Sequence, residues 1–215
     1  MARVVEAFGS PREAAQEAAD AIAAALRDAI LEHGRATFVA TGGRTPGSCY
    51  DILARALLDW RRVTVTLTDE RWVDPRSADS NERMVRDRLL VEQAASATFA
   101  PLKSDQAAPE EAVADAEARL KPILPADVTL LGMGEDGHVA SLFPGGTVDA
   151  AGLAVPAQAA QPRLSLTLDA LEPTRLTVVL ISGDAKRRVL EEGSGLPIHL
   201  FLARTKAPVR ILWSP

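Results

Sequence analysis

Apolar positions along the chain recur at two spacings. Ala15, Ala18, Ile22, Leu26, Ala29 and Ile30 follow helical period behind Ser10-Pro11-Arg12-Glu13, a capping-box spacing with proline at the first helical position, and Gly34 closes the segment. His33 falls in the last turn, where a structural contact at the helix end is its expected role. A short apolar run at Ala36–Ala40 follows, then Thr41-Gly42-Gly43-Arg44-Thr45-Pro46 and a second helix through Tyr50, Leu53 and Leu57. The same order of strand, loop and helix returns at Val63–Leu67, which leads into Thr68-Asp69-Glu70-Arg71 and a helix that begins near Ser80 or Asn81 and runs past Leu89. Cap and period predict a third helix over Pro109–Leu120. Val128–Leu131 reads as a buried strand ahead of Gly132-Met133-Gly134-Glu135-Asp136-Gly137-His138. Further on, 164–168 alternates polar and apolar, 176–181 is a solid apolar run before Gly183-Asp184 and another helix, and 209–213 closes the pattern. Strand and helix alternate throughout, which predicts an α/β fold: a sheet with helices on both faces.

Composition narrows the partners. At 215 residues, 47% hydrophobic but only 4% aromatic, the chain can build one core from Leu, Val, Ile and Ala, and a single domain over 1–215 is expected. The stretch 144–162, rich in Gly, Ala, Pro and Gln, reads as a long surface connection, not a domain boundary. A net charge of −5 argues against a nucleic-acid or anionic-membrane footprint and leaves room for a small local anion site. The lone Cys49 excludes an internal disulfide and any multi-cysteine zinc site, and fits a reducing compartment, by default the cytoplasm. MARVVEAFGS lacks the pattern of a secretory leader, and nowhere do about 18 apolar residues run uninterrupted. Nothing resembling a coiled coil or added interface segment is present, so a monomer is expected.

Three polar loops each begin where an apolar strand ends, and in open α/β sheets ligands bind outside the carboxyl ends of the strands, so the three should meet in one crevice. The small residues Gly42 and Gly43, with a helix start behind them, suit either a phosphate cradle or a tight turn that needs positive φ. The motif G-x-x-x-x-G-K-[ST] is absent. Gly132 to Gly137 spells G-x-G-x-x-G, yet Pro144 and Gly145-Gly146 leave space for only a very short helix, and no acidic strand end follows at the expected distance, so no nucleotide cofactor is expected.

Of the three histidines, His138 alone stands on a glycine-rich strand-end loop, where an imidazole of ordinary pKa, about 6.5, can take a proton from water. Asp136 can orient that ring or sit in an Asx turn, whereas His199 in an apolar setting reads as a packing residue. Arg71, beside Asp69 and Glu70, suits a structural bridge or an oxyanion contact. Ser141 lacks a nucleophile elbow, Cys49 reads as a small buried residue, and neither H-x-H nor H-E-x-x-H occurs, so no metal site is expected.

Over almost its whole length the chain resembles the 6-phosphogluconolactonase family. The resemblance rests on Gly132-Met133-Gly134-Glu135-Asp136-Gly137-His138-Val139-Ala140-Ser141-Leu142-Phe143-Pro144-Gly145, on the Gly-Gly-x-Thr-Pro loop, on Asp-Glu-Arg followed by Ser80-Asn81, on Arg163-Leu-Ser-Leu-Thr and on the segment ending at Lys186. It implies a Rossmann-like three-layer α/β/α sandwich with a mostly parallel central sheet. It also implies metal-independent, cofactor-free hydrolysis of 6-phospho-D-glucono-1,5-lactone to 6-phospho-D-gluconate in the oxidative pentose phosphate pathway. His138 would be the general base, with Arg71, Asp69 and Asp136 in supporting roles. Gly42, Gly43, Arg44, Thr45, Arg163 and Lys186 would bind the substrate, Arg44 standing where the lactonase loop often carries serine. Glucosamine-6-phosphate deaminases share the Asp-Gly-His segment, but there the histidine is followed by a stretch with a glutamate, and Val139 to Pro144 contains no carboxylate. A deaminase-like enzyme and a catalytically silent sugar-phosphate sensor are the alternative readings.

Overall fold

The computed structural model describes residues 4–215. Residues 1–3, part of the amino-terminal stretch read as lacking a leader, lie outside the described residues. The elements run β1 (Val5–Ala7), α1 (Pro11–His33), β2 (Ala36–Ala40), α2 (Pro46–Leu53), β3 (Val63–Leu67), β4 (Asp69–Arg71), α3 (Asn81–Arg88), β5 (Thr98–Phe99), α4 (Pro109–Leu120) and β6 (Val128–Leu131). Then come β7 (Ala154–Gln158), β8 (Pro162–Leu166), α5 (Leu168–Leu171), β9 (Leu176–Ser182), α6 (Asp184–Glu192), α7 (Pro197–Arg204) and β10 (Val209–Ser214).

Seven strands form the central sheet in the order β1-β10-β9-β6-β2-β3-β5, every neighbouring pair parallel and helices flanking the sheet. A second, antiparallel sheet holds β4-β8-β7, with Arg71 opposite Arg163. From β2 the chain moves outward to β3 and β5; from β6 it moves the other way to β9 and β10. The order therefore reverses between β2 and β6, and the crevice at their carboxyl ends is where a ligand site belongs.

Local chemistry explains the element ends. Ser10 Oγ accepts from the Glu13 N–H at 3.2 Å, and Glu13 returns a bond to the Gly9 N–H at 3.0 Å, one residue before the expected partner. Gly34 takes φ +73° to end α1. The buried face of α1 is mostly alanine around Ile22 and Leu26, which lets the helix lie close across β2, β6, β9 and β10. At the end of β2 the buried Tyr50 hydroxyl donates to the Thr41 carbonyl at 2.7 Å and accepts from the Thr41 N–H at 2.9 Å, which fixes the start of the Gly-Gly loop. At the sheet margin, Arg210 on β10 bonds Glu6 of β1 at 2.8 Å and Glu17 of α1 at 2.7 Å.

Several boundaries differ from the sequence reading. Helix α2 ends at Leu53, and Leu57 is 80% exposed, because the apolar spacing there continues without enough buried surface to hold another turn. Helix α3 ends at Arg88, with Leu89 as its cap. The 164–168 strand is β8, two residues earlier, since the Thr167 hydroxyl accepts from the Ala170 N–H at 3.1 Å and starts α5. Asp69-Glu70-Arg71 is a strand, not a loop, and the 144–162 connection contains β7; both are held by pairing with β8. No helix of the described residues is long and apolar enough to cross a membrane.

Candidate active site

A cavity of about 210 Å³ opens at the carboxyl ends of β2 and β6. Gly42, Gly43, Arg44, Thr45, Asp69, Arg71, His138, Arg163 and Lys186 line it, and Asp136 sits behind His138. The three strand-end loops thus converge as the topology requires. Thr41, Asn81, Met133, Ala140 and Leu180 also line it and had no role assigned from the sequence. Asn81 had a signal in the helix-capping Ser80 before it.

The His138 imidazole is oriented by its own loop. Asp136 Oδ1 lies 2.6 Å from His138 Nδ1 and accepts from the His138 backbone N–H at 3.1 Å. Burial pushes the Asp136 carboxyl up, but the bonds from the His138 backbone and ring outweigh it and hold the pKa below the usual range. An ionised carboxylate only accepts, so in the neutral ring Nδ1 carries the proton and Nε2 the lone pair. Phe143 backs the ring with centroids 4.7 Å apart. Gly134 lies under it: a Cβ there would stand 2.2 Å from His138 Nδ1 and 2.5 Å from Asp136 Oδ1. Gly134→Ala is therefore expected to displace the imidazole from Asp136, and a shift of the His138 ring resonances in the NMR spectrum checks it; unchanged resonances would show that the ring tolerates the added Cβ.

The segment does not continue as a nucleotide-binding helix. Val139 bridges Leu142 in a tight turn, so its G-x-G-x-x-G spelling lacks the helix such a fingerprint needs.

Glu70 is buried and faces away from the cavity's chemistry. Its Oε1 accepts from the N–H groups of Arg71 and Asn81, both at 2.8 Å, and its Oε2 from the Glu82 N–H at 2.7 Å and the Ser80 hydroxyl at 3.0 Å. Burial raises its pKa and these four bonds oppose the rise. One carboxylate thus caps α3 and sets Arg71 and Asn81 in place. Arg71 Nη1 donates to the Asp79 carbonyl at 2.5 Å, and its Nε is buried without a hydrogen-bond partner. Asn81 Nδ2 donates to the Asp69 carbonyl at 2.8 Å.

Basic groups approach the cavity from two sides. Arg163 is held at 3.5 Å from Asp69 Oδ2, with its guanidinium 5.6 Å from the Phe143 ring centre. Arg44 and Lys186 make no side-chain hydrogen bond or ion pair within the described residues. Burial lowers the Lys186 pKa, Arg44 lowers it further, and Glu135 opposes both. Between them runs the Gly-Gly turn: Gly43 has φ +100°, and Gly42 leaves the space where a Cβ would meet Asn81 Oδ1 at 2.0 Å. Among the described residues no protein acceptor takes the N–H groups of Gly42, Gly43 or Arg44. The turn therefore has the conformation that needs glycine and also presents free donors.

The remaining sequence candidates lie elsewhere. His33 contacts Arg175 at 2.9 Å, and His199 donates to the Leu190 carbonyl at 3.2 Å. Cys49 is buried and its thiol is pushed up to about 12 by burial, which removes it as a nucleophile.

A fold with this switch point and this loop set defines a class. Residues 9–212 match the model of the glucosamine-6-phosphate isomerases/6-phosphogluconolactonase family, and the chain belongs to it. Within that family, it is 45% identical to the 6-phosphogluconolactonase of Caulobacter vibrioides, covering 98% of this chain and 97% of that one. It is 40% identical to the 6-phosphogluconolactonase of Rhizobium meliloti, covering 97% of each. The structure superposes on a crystal structure of a 6-phosphogluconolactonase from Shewanella baltica with a TM-score of 0.95 and 33% identity, over 100% of this chain and 98% of that one.

Proposed function

We propose that the chain, as a monomeric single-domain protein of the cytoplasm, hydrolyses 6-phospho-D-glucono-1,5-lactone to 6-phospho-D-gluconate with a water activated at His138. The observation that carries the mechanism is the Asp136–His138 contact at 2.6 Å inside a cavity that also holds unpaired cations. Nε2 takes a proton from water as its oxygen attacks the lactone carbonyl. Arg71 stabilises the charge that develops on the carbonyl oxygen, and the ring ester bond then breaks, its oxygen taking up the proton. Asp69, held in the cavity wall, orients sugar hydroxyls. Arg44, Lys186 and the N–H groups of Gly42 and Gly43 take the phosphate, with Thr45 beside them and Arg163 adding charge from the Asp69 side. Phosphate binding far from the ester supplies the energy that orients the reacting carbonyl. The test is acid release from freshly made lactone, corrected for spontaneous hydrolysis. Ammonia release from glucosamine 6-phosphate, or product binding without turnover, would replace this reading with a deaminase or a sensor.

Lys186→Ala is expected to raise KM with little change in kcat, because the ammonium acts on a part of the substrate that does not react. Its lowered pKa adds a pH signature. The ammonium is lost at a lower pH than an ordinary lysine, so affinity for 6-phosphogluconate should fall as pH rises through that value, and Lys186→Ala should lack this alkaline limb. Titration calorimetry on wild type and variant reads it; superimposable pH profiles would remove Lys186 from the phosphate site.

A further inference from the structure

Ser141 lies three residues beyond His138 and is 1% exposed. Ala140 before it takes φ +51°, a conformation that L-residues seldom adopt, and the turn closes with a bond from the Leu142 N–H to the Val139 carbonyl at 2.9 Å. That turn places the serine side chain against the small sheet. Its hydroxyl donates to Asp69 Oδ2 at 2.5 Å and accepts from Arg163 Nη1 at 3.3 Å, and its backbone N–H donates to Ser165 Oγ at 3.1 Å. A carboxylate only accepts and a guanidinium only donates, so the direction of both side-chain bonds is fixed.

Asp69 belongs to β4, and Arg163 and Ser165 to β8. One residue of the loop after β6 is therefore bonded three times to the small sheet. The hydroxyl also bonds both members of an ion pair. Arg163 Nη1 is 3.5 Å from Asp69 Oδ2, so hydroxyl, carboxylate and guanidinium form a triangle in which each group touches the other two. Both members of the pair line the cavity, and the Arg163 guanidinium lies 5.6 Å from the centre of Phe143, the ring that backs His138.

We propose that Ser141 is a positioning residue for the hydrolysis: it ties the His138 loop to the small sheet and, bonded to both members of the Asp69–Arg163 pair, sets where the Arg163 guanidinium stands in the cavity wall. The proposal rests on the lactonase reading, and wild-type turnover of the lactone measured in parallel tests that reading by itself. Steady-state kinetics of wild type, Ser141→Ala, Arg163→Ala and the double variant are compared, with thermal unfolding of each. Ser141→Ala is expected to lower kcat/KM by about 10-fold, while the double variant matches Arg163→Ala within about twofold, because residues that act through one another do not add. A Ser141→Ala enzyme with wild-type kcat/KM overturns the proposal, and so does a double variant in which the two losses multiply. If Ser141→Ala does not fold, Ser141→Cys keeps a small polarisable group with a weak donor and is expected to show a loss that is likewise absorbed by Arg163→Ala; wild-type kinetics in that variant overturn the proposal equally.

Discussion

Replacing His138 by alanine is expected to lower kcat by about 10²- to 10⁴-fold, the range a positioned general base contributes. The proposed phosphate-binding end of the cavity does not depend on the imidazole: Arg44, Lys186 and the Gly-Gly turn arise from other loops. Affinity for 6-phosphogluconate should therefore change little, and the loss should fall on kcat. The ring's orientation comes from Asp136 and from the space at Gly134, so no other histidine can substitute for it; His33 and His199 are engaged with Arg175 and Leu190. Initial rates corrected for spontaneous lactone opening, together with calorimetric binding of the product, measure the two effects. Wild-type turnover in the variant would place the proton transfer elsewhere.

The second large effect concerns stability. Glu70→Ala removes the acceptors of three backbone N–H groups and one hydroxyl at a site that is 1% exposed. With about 1–3 kcal/mol for each buried donor left unsatisfied and partial relief by water, a loss of about 3–5 kcal/mol is expected. Glutamine does not rescue it. Each Glu70 oxygen faces at least one backbone N–H, so whichever way the amide turns, its NH2 meets a donor, and Glu70→Gln should lose about 2 kcal/mol or more. Urea unfolding measures both variants. A Glu70→Gln midpoint equal to wild type would show that the α3 cap does not need two acceptor oxygens. Because the same carboxylate positions Arg71 and Asn81, activity should fall in parallel.

The core strands and the position of the site were readable in the sequence. β2, β3 and β6 are buried almost throughout and read as runs of apolar residues and threonine, and the polar loop at the end of each had to converge once β2 and β6 were neighbours. The small sheet was not readable. Asp69-Glu70-Arg71 carries three charges and β7 contains Pro156, so neither has strand character of its own; their conformation comes from pairing with β8. The links that depend on that pairing were hidden with it: Arg163 beside Asp69, Ser141 bonded to both, and Glu70 as the cap of α3. β1 and β5, three and two residues long, were too short to leave a pattern.

The outer margin of the central sheet has a consequence for how the molecule assembles. Within the described residues β1 pairs only with β10, and the Arg210–Glu6 contact that reinforces it spans 204 positions of sequence. Helix α1 can form early from its own caps and its alanine face, but the strand before it has no edge to join until the carboxyl-terminal strand is made. Until then the outer edge of β9 is an open row of amides and carbonyls, the kind of edge that pairs with another chain. At about 5–20 residues per second β1 waits through most of the chain's synthesis, whereas the β9 edge, complete at Ser182, is open only until Val209–Ser214 follows. The arrival of β10 fills two places at once: it covers β9 and provides the template for β1.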